Sequence, residues 1–311
     1  MSRGNSVLQI FYSEHYNIDL GLLNYLHPFD GTKFKKVIKE LKGISAVDIR
    51  SPSAPVSHEA IHDFVDDLVR IQLNDKKTVL RILEVPQIPL LPFSYLAKKI
   101  LLPMRWGVAG TVDASKAALG GRNCWNLAGG YHHASQQSAE GFCLYNDIGI
   151  AHQELLKAGL LKAHDKILII DVDAHHGNGN AQTFMHNADV TLLDVYNQDN
   201  YPRTAATRGR VNIPVLLHTG VGGSEYLAKY ADALKQLGSG YRIAYVVAGT
   251  DVLDSDPIGG MRLTPGDVVA RETLTFNKLK SMGVPAVFLG AGGYSKLSAS
   301  TIAAAIKGLV R

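Results

Sequence analysis

The chain has 311 residues, 46 % of them apolar and 19 % charged, and at that length it can bury about three quarters of its unfolded surface in a full core. No stretch approaches the roughly 18 unbroken apolar residues of a membrane helix, and the composition is not that of a disordered chain. The net charge of +4 is spread without a Lys/Arg block, so direct nucleic-acid binding has no electrostatic signature.

The chain begins without a signal-peptide apolar core, and its two cysteines cannot form a disulfide framework, a pattern that reads as cytoplasmic. Residues 7–12 read as a first strand. Phe34, Val37, Ile38 and Leu41 recur at helical spacing ahead of Gly43, and Ile61, Phe64, Val65, Leu68 and Val69 repeat the pattern after a Ser57 cap, predicting two amphipathic helices. Prolines at 86, 89 and 92 forbid a continuous helix and predict an extended surface loop. A short strand is expected at 124–127, then buried strands at 166–171, 190–195, 243–248 and 285–289. Helical patterns fill 148–157, 225–237, 266–282 and 296–309. No repeat, low-complexity tract or linker divides the chain, so residues 1–311 read as one α/β domain. Its mainly parallel sheet is covered by helices on both faces, and ligands of such sheets sit beyond the carboxyl ends of the strands.

The polar residues concentrate at those ends. The run Asp171-Val172-Asp173-Ala174-His175-His176-Gly177-Asn178-Gly179 leaves a buried strand, and period-two alternation puts Asp171, Asp173 and His175 on one face. Gly249-Thr250-Asp251 ends another strand on the same rim. Asp173, His175 and Asp251 make a three-ligand set with an open position for water, the pattern of a catalytic zinc. Taken alone, an Asp here caps a turn. In Gly129-Gly130-Tyr131-His132-His133 a glycine-framed loop carries two imidazoles, suited to proton transfer if the loop reaches the metal; alone, adjacent histidines are surface residues. Asp171 and Asn178 are candidates for fixing the tautomers of those rings. Leu289-Gly290-Ala291-Gly292-Gly293-Tyr294 lacks the marks of a phosphate loop and can deliver the Tyr294 phenol to a developing oxyanion.

These five ordered motifs, with Gly141-Phe142-Cys143 as the fifth, closely resemble the zinc-dependent histone deacetylase family and its arginase/deacetylase fold. Tyr12-Ser13, Tyr16-Asn17-Ile18, Leu26-His27-Pro28-Phe29-Asp30, Asp194-Val195-Tyr196-Asn197 and Tyr201-Pro202 are most similar to class IV. The resemblance implies one Zn²⁺ on Asp173, His175 and Asp251, with His132 and His133 as the histidine pair and Tyr294 as oxyanion donor. It also implies an acyl tunnel walled by Phe142, Tyr201 and Gly141, and an acyl-lysine protein or peptide as substrate. A structural K⁺ is implied on Asp171, with carbonyls of Asp173, His175 and Val195 and the side chain of Asp194, where many relatives carry Ser. Asn178 stands where class I members carry Asp, and a neutral partner should leave His133 less basic. Class IV further implies a preference for long fatty acyl groups, for which Gly141, Gly292 and Gly293 would leave room in a tunnel wall.

Three other readings compete. A binuclear manganese ureohydrolase needs extra carboxylates where this chain has Gly177 and Leu253. An acetylpolyamine amidohydrolase keeps the same catalytic groups but needs acidic residues at a narrowed entrance. A zinc-bound acyl-lysine reader would lack a catalytic group, and all of them are present.

Overall fold

In the computed structural model, which describes residues 7–19, 21 and 29–310, a run of helices over 58–119 is followed by strands that alternate with helices from residue 124 onward. Leu26, His27 and Pro28 of the class IV pattern lie outside the described residues. The order is β1 (Leu8–Phe11), α1 (Lys33–Leu41), β2 (Val47–Arg50), α2 (His58–Phe64), α3 (Asp67–Leu73), α4 (Lys76–Ile82) and α5 (Phe93–Leu96). A π-helical turn, Ala97–Leu101, leads into α6 (Leu102–Leu119) and β3 (Cys124–Asn126). There follow α7 (Asp147–Lys157), β4 (Lys166–Asp171), α8 (Asn178–Thr183), β5 (Val190–Asn197), α9 (Ala205–Arg210) and β6 (Ile213–Leu217). The last elements are α10 (Gly223–Lys235), β7 (Tyr241–Val247), α11 (Pro265–Ser281), β8 (Ala286–Leu289) and α12 (Ser298–Leu309).

Among the described residues the strands form one sheet in the order β2-β1-β3-β8-β7-β4-β5-β6, and every pairing is parallel. A parallel sheet needs both faces covered, and β4, β7 and β8 accordingly bury nearly every side chain. Trp125 on β3 stacks on Phe288 of the neighbouring β8 at 5.0 Å. The edge strand β6 alternates buried and exposed residues. From β4 the chain winds outward through β5 and β6, then returns to place β7 and β8 on the other side of β4. The loops leaving β4 and β7 therefore diverge, opening the crevice in which such sheets bind ligands.

The expected strands and the helices at 148–157, 225–237, 266–282 and 296–309 follow the expected pattern, with ends shifted by no more than two residues, and β2 and β6 are additional strands. The stretch after Ser57 is not one helix. Val65 is extended (φ −93°, ψ 147°), the chain restarts at Asp66 as a new N-cap, and the Asp66 amide is taken by Gln136 O at 2.9 Å. The central helix α6 has no apolar stripe to betray it, because Gly107, Gly110, Thr111, Ala114, Ser115 and Ala118 make up much of its buried face. Those residues are small because the helix lies hard against the sheet: a Cβ on Gly110 would sit 1.9 Å from Tyr16 Oη and 2.6 Å from Asn126 Oδ1. No helix among the described residues is long and apolar enough to cross a membrane.

Candidate active site

Four neighbouring strands, β3, β8, β7 and β4, end at the same crevice, and each delivers one of the polar motifs. The turn after β4 carries Asp173 and His175, and the turn after β7 carries Asp251. Their ligand atoms all lie within 4.8 Å of one another, the one such group of three among the described residues. His175 Nδ1 stands 2.8 Å from Asp251 Oδ2 and 3.1 Å from Asp173 Oδ1. Backbone amides aim the carboxylates: Ala174 N–H donates to Asp251 Oδ1 (2.9 Å), and Gly292 N–H to Asp173 Oδ2 (3.1 Å).

Two carboxylates this close, at 1 % and 0 % exposure, repel. Burial and the neighbouring Asp173 push Asp251 up to about 7. Burial also opposes ionisation of Asp173, but the His132 and His175 rings override it and hold Asp173 well below the carboxylate range. Burial would lower His175, and the two carboxylates on its ring outweigh that and hold it well above its ordinary value. A buried Asp/His/Asp set with this concentration of negative charge suits a divalent cation, whose charge relieves the repulsion.

The loop after β3 brings the histidine pair against this group, with the two rings 4.1 Å apart. His132 Nδ1 is 2.8 Å from Asp171 Oδ2, and its Nε2 is 3.7 Å from Asp173 Oδ1. Burial disfavours its charge, yet Asp171 and Asp173 prevail and raise it to about 9. His133 Nδ1 instead meets the neutral Asn178 Oδ1 at 2.6 Å, and burial together with the His132 and His175 charges lowers His133 far below its ordinary value. Burial is the leading cause, and the Asn178 hydrogen bond itself acts the other way. Tyr294, on the loop after β8, has its phenol pushed well above the usual range by burial and by Asp173 and Asp251, so it stays a donor. Phe142 packs edge-on against Tyr294 at 5.7 Å. Tyr201, 46 % exposed, stands at the rim with its ring 5.5 Å from His133.

Asp171 and Asp194 pair on adjacent strands β4 and β5. Asp194 Oδ2 accepts from the Gly177 amide and lies 2.6 Å from His176 Nδ1. Its Oδ1 is buried without a hydrogen-bond partner among the described residues.

The glycines expected to widen a tunnel do something else. A Cβ on Gly141 would meet the His133 ring at 2.5 Å, one on Gly292 would meet Asp173 Oδ2 at 2.5 Å, and one on Gly293 would meet Thr250 Oγ1 at 2.0 Å. They let backbone approach the site residues closely. The room comes from elsewhere. A cavity of about 130 Å³ is lined by His133, Asp173, His175 and Tyr294 together with Leu80, Leu83, Ile88, Leu96, Ile100 and Met104 among others. One water-sized position needs roughly 10–15 Å³ on this measure, so the cavity exceeds what an acetyl group fills. The proline-bearing loop, expected to be mere surface, contributes Val85, Ile88 and Leu91 to that lining. A π-helical turn is a frequent mark of functional sites, and here it presents Ile100.

Sequence reasoning also missed the side chains that hold the loops from behind. Asp147 accepts from the amides of Gly130 (3.0 Å) and Tyr131 (2.8 Å), just ahead of the histidine pair. Asp256 accepts from the amides of Tyr294 (2.7 Å) and Ser295 (3.1 Å). Arg271, fully buried, donates to Val172 O and Gly249 O, both at 2.8 Å, bridging the two strand ends that bear the Asp/His/Asp set. Lys33 reaches Ala291 O at 3.1 Å, and its burial lowers it to about 8. A signal for Arg271 was present: it falls three residues after Val268 and four before Thr275, on the buried stripe of α11.

Residues 27–309 match the profile of the histone deacetylase domain. Over 98 % of its length the chain is 32 % identical to histone deacetylase 2 of Arabidopsis thaliana, covering 79 % of that protein. The HD domain of HDA15 superposes with a TM-score of 0.76 at 20 % identity, over 98 % of this chain and 88 % of that one. A crystal structure of an HDAC homologue complexed with SAHA gives a TM-score of 0.73 at 20 % identity, over 98 % and 84 %. These two structures establish the shared arginase/deacetylase-like fold.

Proposed function

The chain belongs to the histone deacetylase family, and from that premise we propose that it is a zinc-dependent lysine deacylase acting on N-acyl-lysine in proteins or peptides. The observation that carries this reading is the buried Asp/His/Asp group beside a neutral histidine and a tyrosine that line an apolar cavity. Asp173, His175 and Asp251 would hold one zinc ion, which when bound polarises the amide carbonyl and acidifies a water. The neutral His133 accepts a proton from the attacking water and passes it to the departing lysine amine. His132, paired with Asp171, keeps a fixed positive charge beside the developing negative one. Tyr294 donates a hydrogen bond to the oxyanion. Phe142 and Gly141 flank the acyl-lysine channel and Tyr201 its rim. Water adds across the amide, leaving a carboxylate and a free amine. A structural K⁺ is assigned to Asp171 and Asp194, a reading supported by the orphaned Asp194 Oδ1.

The finer reading is a class IV-like enzyme preferring long acyl chains, supported by the apolar lining from residues 80–104. A second reading, an acetylpolyamine amidohydrolase, draws on Glu84, a carboxylate lining a second cavity with Asn200 and Tyr201. Purified protein should contain one zinc per chain and turn over an acyl-lysine peptide faster than an acetylated polyamine. Two metals bridged by carboxylate would refute the site as assigned, and faster turnover of the polyamine would refute the substrate class.

A further inference from the structure

An asparagine can offer a histidine ring nitrogen either end of its amide, and the two ends enforce opposite tautomers. If the oxygen faces Nδ1, that nitrogen must carry the hydrogen and Nε2 keeps its lone pair. If the NH₂ faces Nδ1, the hydrogen moves to Nε2, and a neutral ring can no longer accept a proton there. His133 depends on this choice, because its Nδ1 is engaged by Asn178 while its ring lines the cavity.

The choice is made by the next side chain along. Glu140 Oε1 lies 2.5 Å from Asn178 Nδ2, and an ionised carboxylate only accepts hydrogen bonds. Asn178 must therefore turn its NH₂ to Glu140 and its oxygen to His133. Glu140 is itself held: Cys143 N–H donates to Glu140 O at 2.9 Å, and the Glu140 side chain lies near enough to the Tyr201 phenol to help burial push that phenol up. The adjacent Gly141, at φ +53°, lies so close to the His133 ring that a Cβ would sit 2.5 Å from Cδ2. One short turn thus packs on the ring and orients the amide bonded to it.

We propose that Glu140 is a positioning residue that sets the tautomer of His133 through Asn178, leaving Nε2 free to accept a proton. The catalytic consequence rests on His133 being the base, whereas the tautomer is read without turnover. The test uses zinc-loaded protein with ¹⁵N-labelled histidine, the His133 signals being assigned by their loss in His133→Gln. Wild type should show hydrogen on Nδ1. Glu140→Ala should show a mixture or a shift to Nε2–H, with kcat down on the order of 10-fold or more, KM within about twofold and zinc content unchanged. In Glu140→Ala/Asn178→Asp both ends of the residue at 178 accept, so Nδ1–H should return and with it most of the rate. Glu140→Gln, which retains an acceptor oxygen at similar volume, should fall between and serves as the second variant if alanine disturbs the turn. An unchanged tautomer and rate in both Glu140→Ala and Glu140→Gln would overturn the proposal. So would an Nε2–H ring in wild type. If the tautomer follows Glu140 but His133→Gln keeps full turnover, it is the assignment of His133 as base that fails.

Discussion

The polar floor of the site hangs from four adjacent strand ends, and each of its loops is held by a buried side chain reaching in from behind: Asp147, Asp256, Arg271 or Lys33. The apolar wall is made differently, from α4, the proline loop, α5, the π-helical turn and the first residues of α6. The floor fixes atoms to within hydrogen-bond tolerance because charge transfer and metal ligation demand it. The wall needs only volume and apolarity, which many side chains can supply. Changes in the floor should therefore act on all substrates alike, and changes in the wall should sort substrates by acyl length.

The sharpest break of the floor is Asp251→Ala. It removes one of three ligands, and metal analysis should find zinc lost, with turnover of every acyl-lysine peptide down by roughly 10³-fold or more. Zinc retained at wild-type occupancy would contradict the assignment. Tyr294→Phe is milder. In the proposed role its phenol acts on charge that develops during the reaction, so zinc content should hold while kcat falls by about 10² on acetyl and long-chain substrates equally. A loss confined to one acyl length would place Tyr294 with the wall instead.

This division also explains what could be read from the chain itself. Asp171, Asp173, His175 and Asp251 were legible because a parallel strand must end at the crevice and side chains alternate along it. Four polar motifs on such ends leave few alternatives. The wall was illegible for the opposite reason: Leu80, Leu83, Leu96 and Ile100 at helical spacing look like any buried core, and only their three-dimensional arrangement leaves a space between them. Of the supporting groups, Asp147, Asp256 and Lys33 were hidden by burial that local pattern does not report. Arg271 and Glu272 are both buried, and only the position of Arg271 on the buried stripe of α11 hinted at it. The glycines misled because a missing side chain was taken as space for ligand, when His133, Asp173 and Thr250 already occupy it.

The measurement that bears most directly on floor and wall together is kcat/KM for one peptide carrying acetyl, butyryl, octanoyl or myristoyl lysine, compared between wild type and Leu83→Phe below the micelle threshold. Leu83 lines the cavity and is 6 % exposed. A phenyl ring there should deny burial to about two methylenes, each worth about 0.8 kcal/mol. Wild type should rise from acetyl toward the longer chains, and Leu83→Phe should lose roughly 10-fold on octanoyl and myristoyl while acetyl is unchanged. A wild-type series that falls monotonically from acetyl, or a Leu83→Phe loss equal at every length, would contradict a wall that reads the acyl chain.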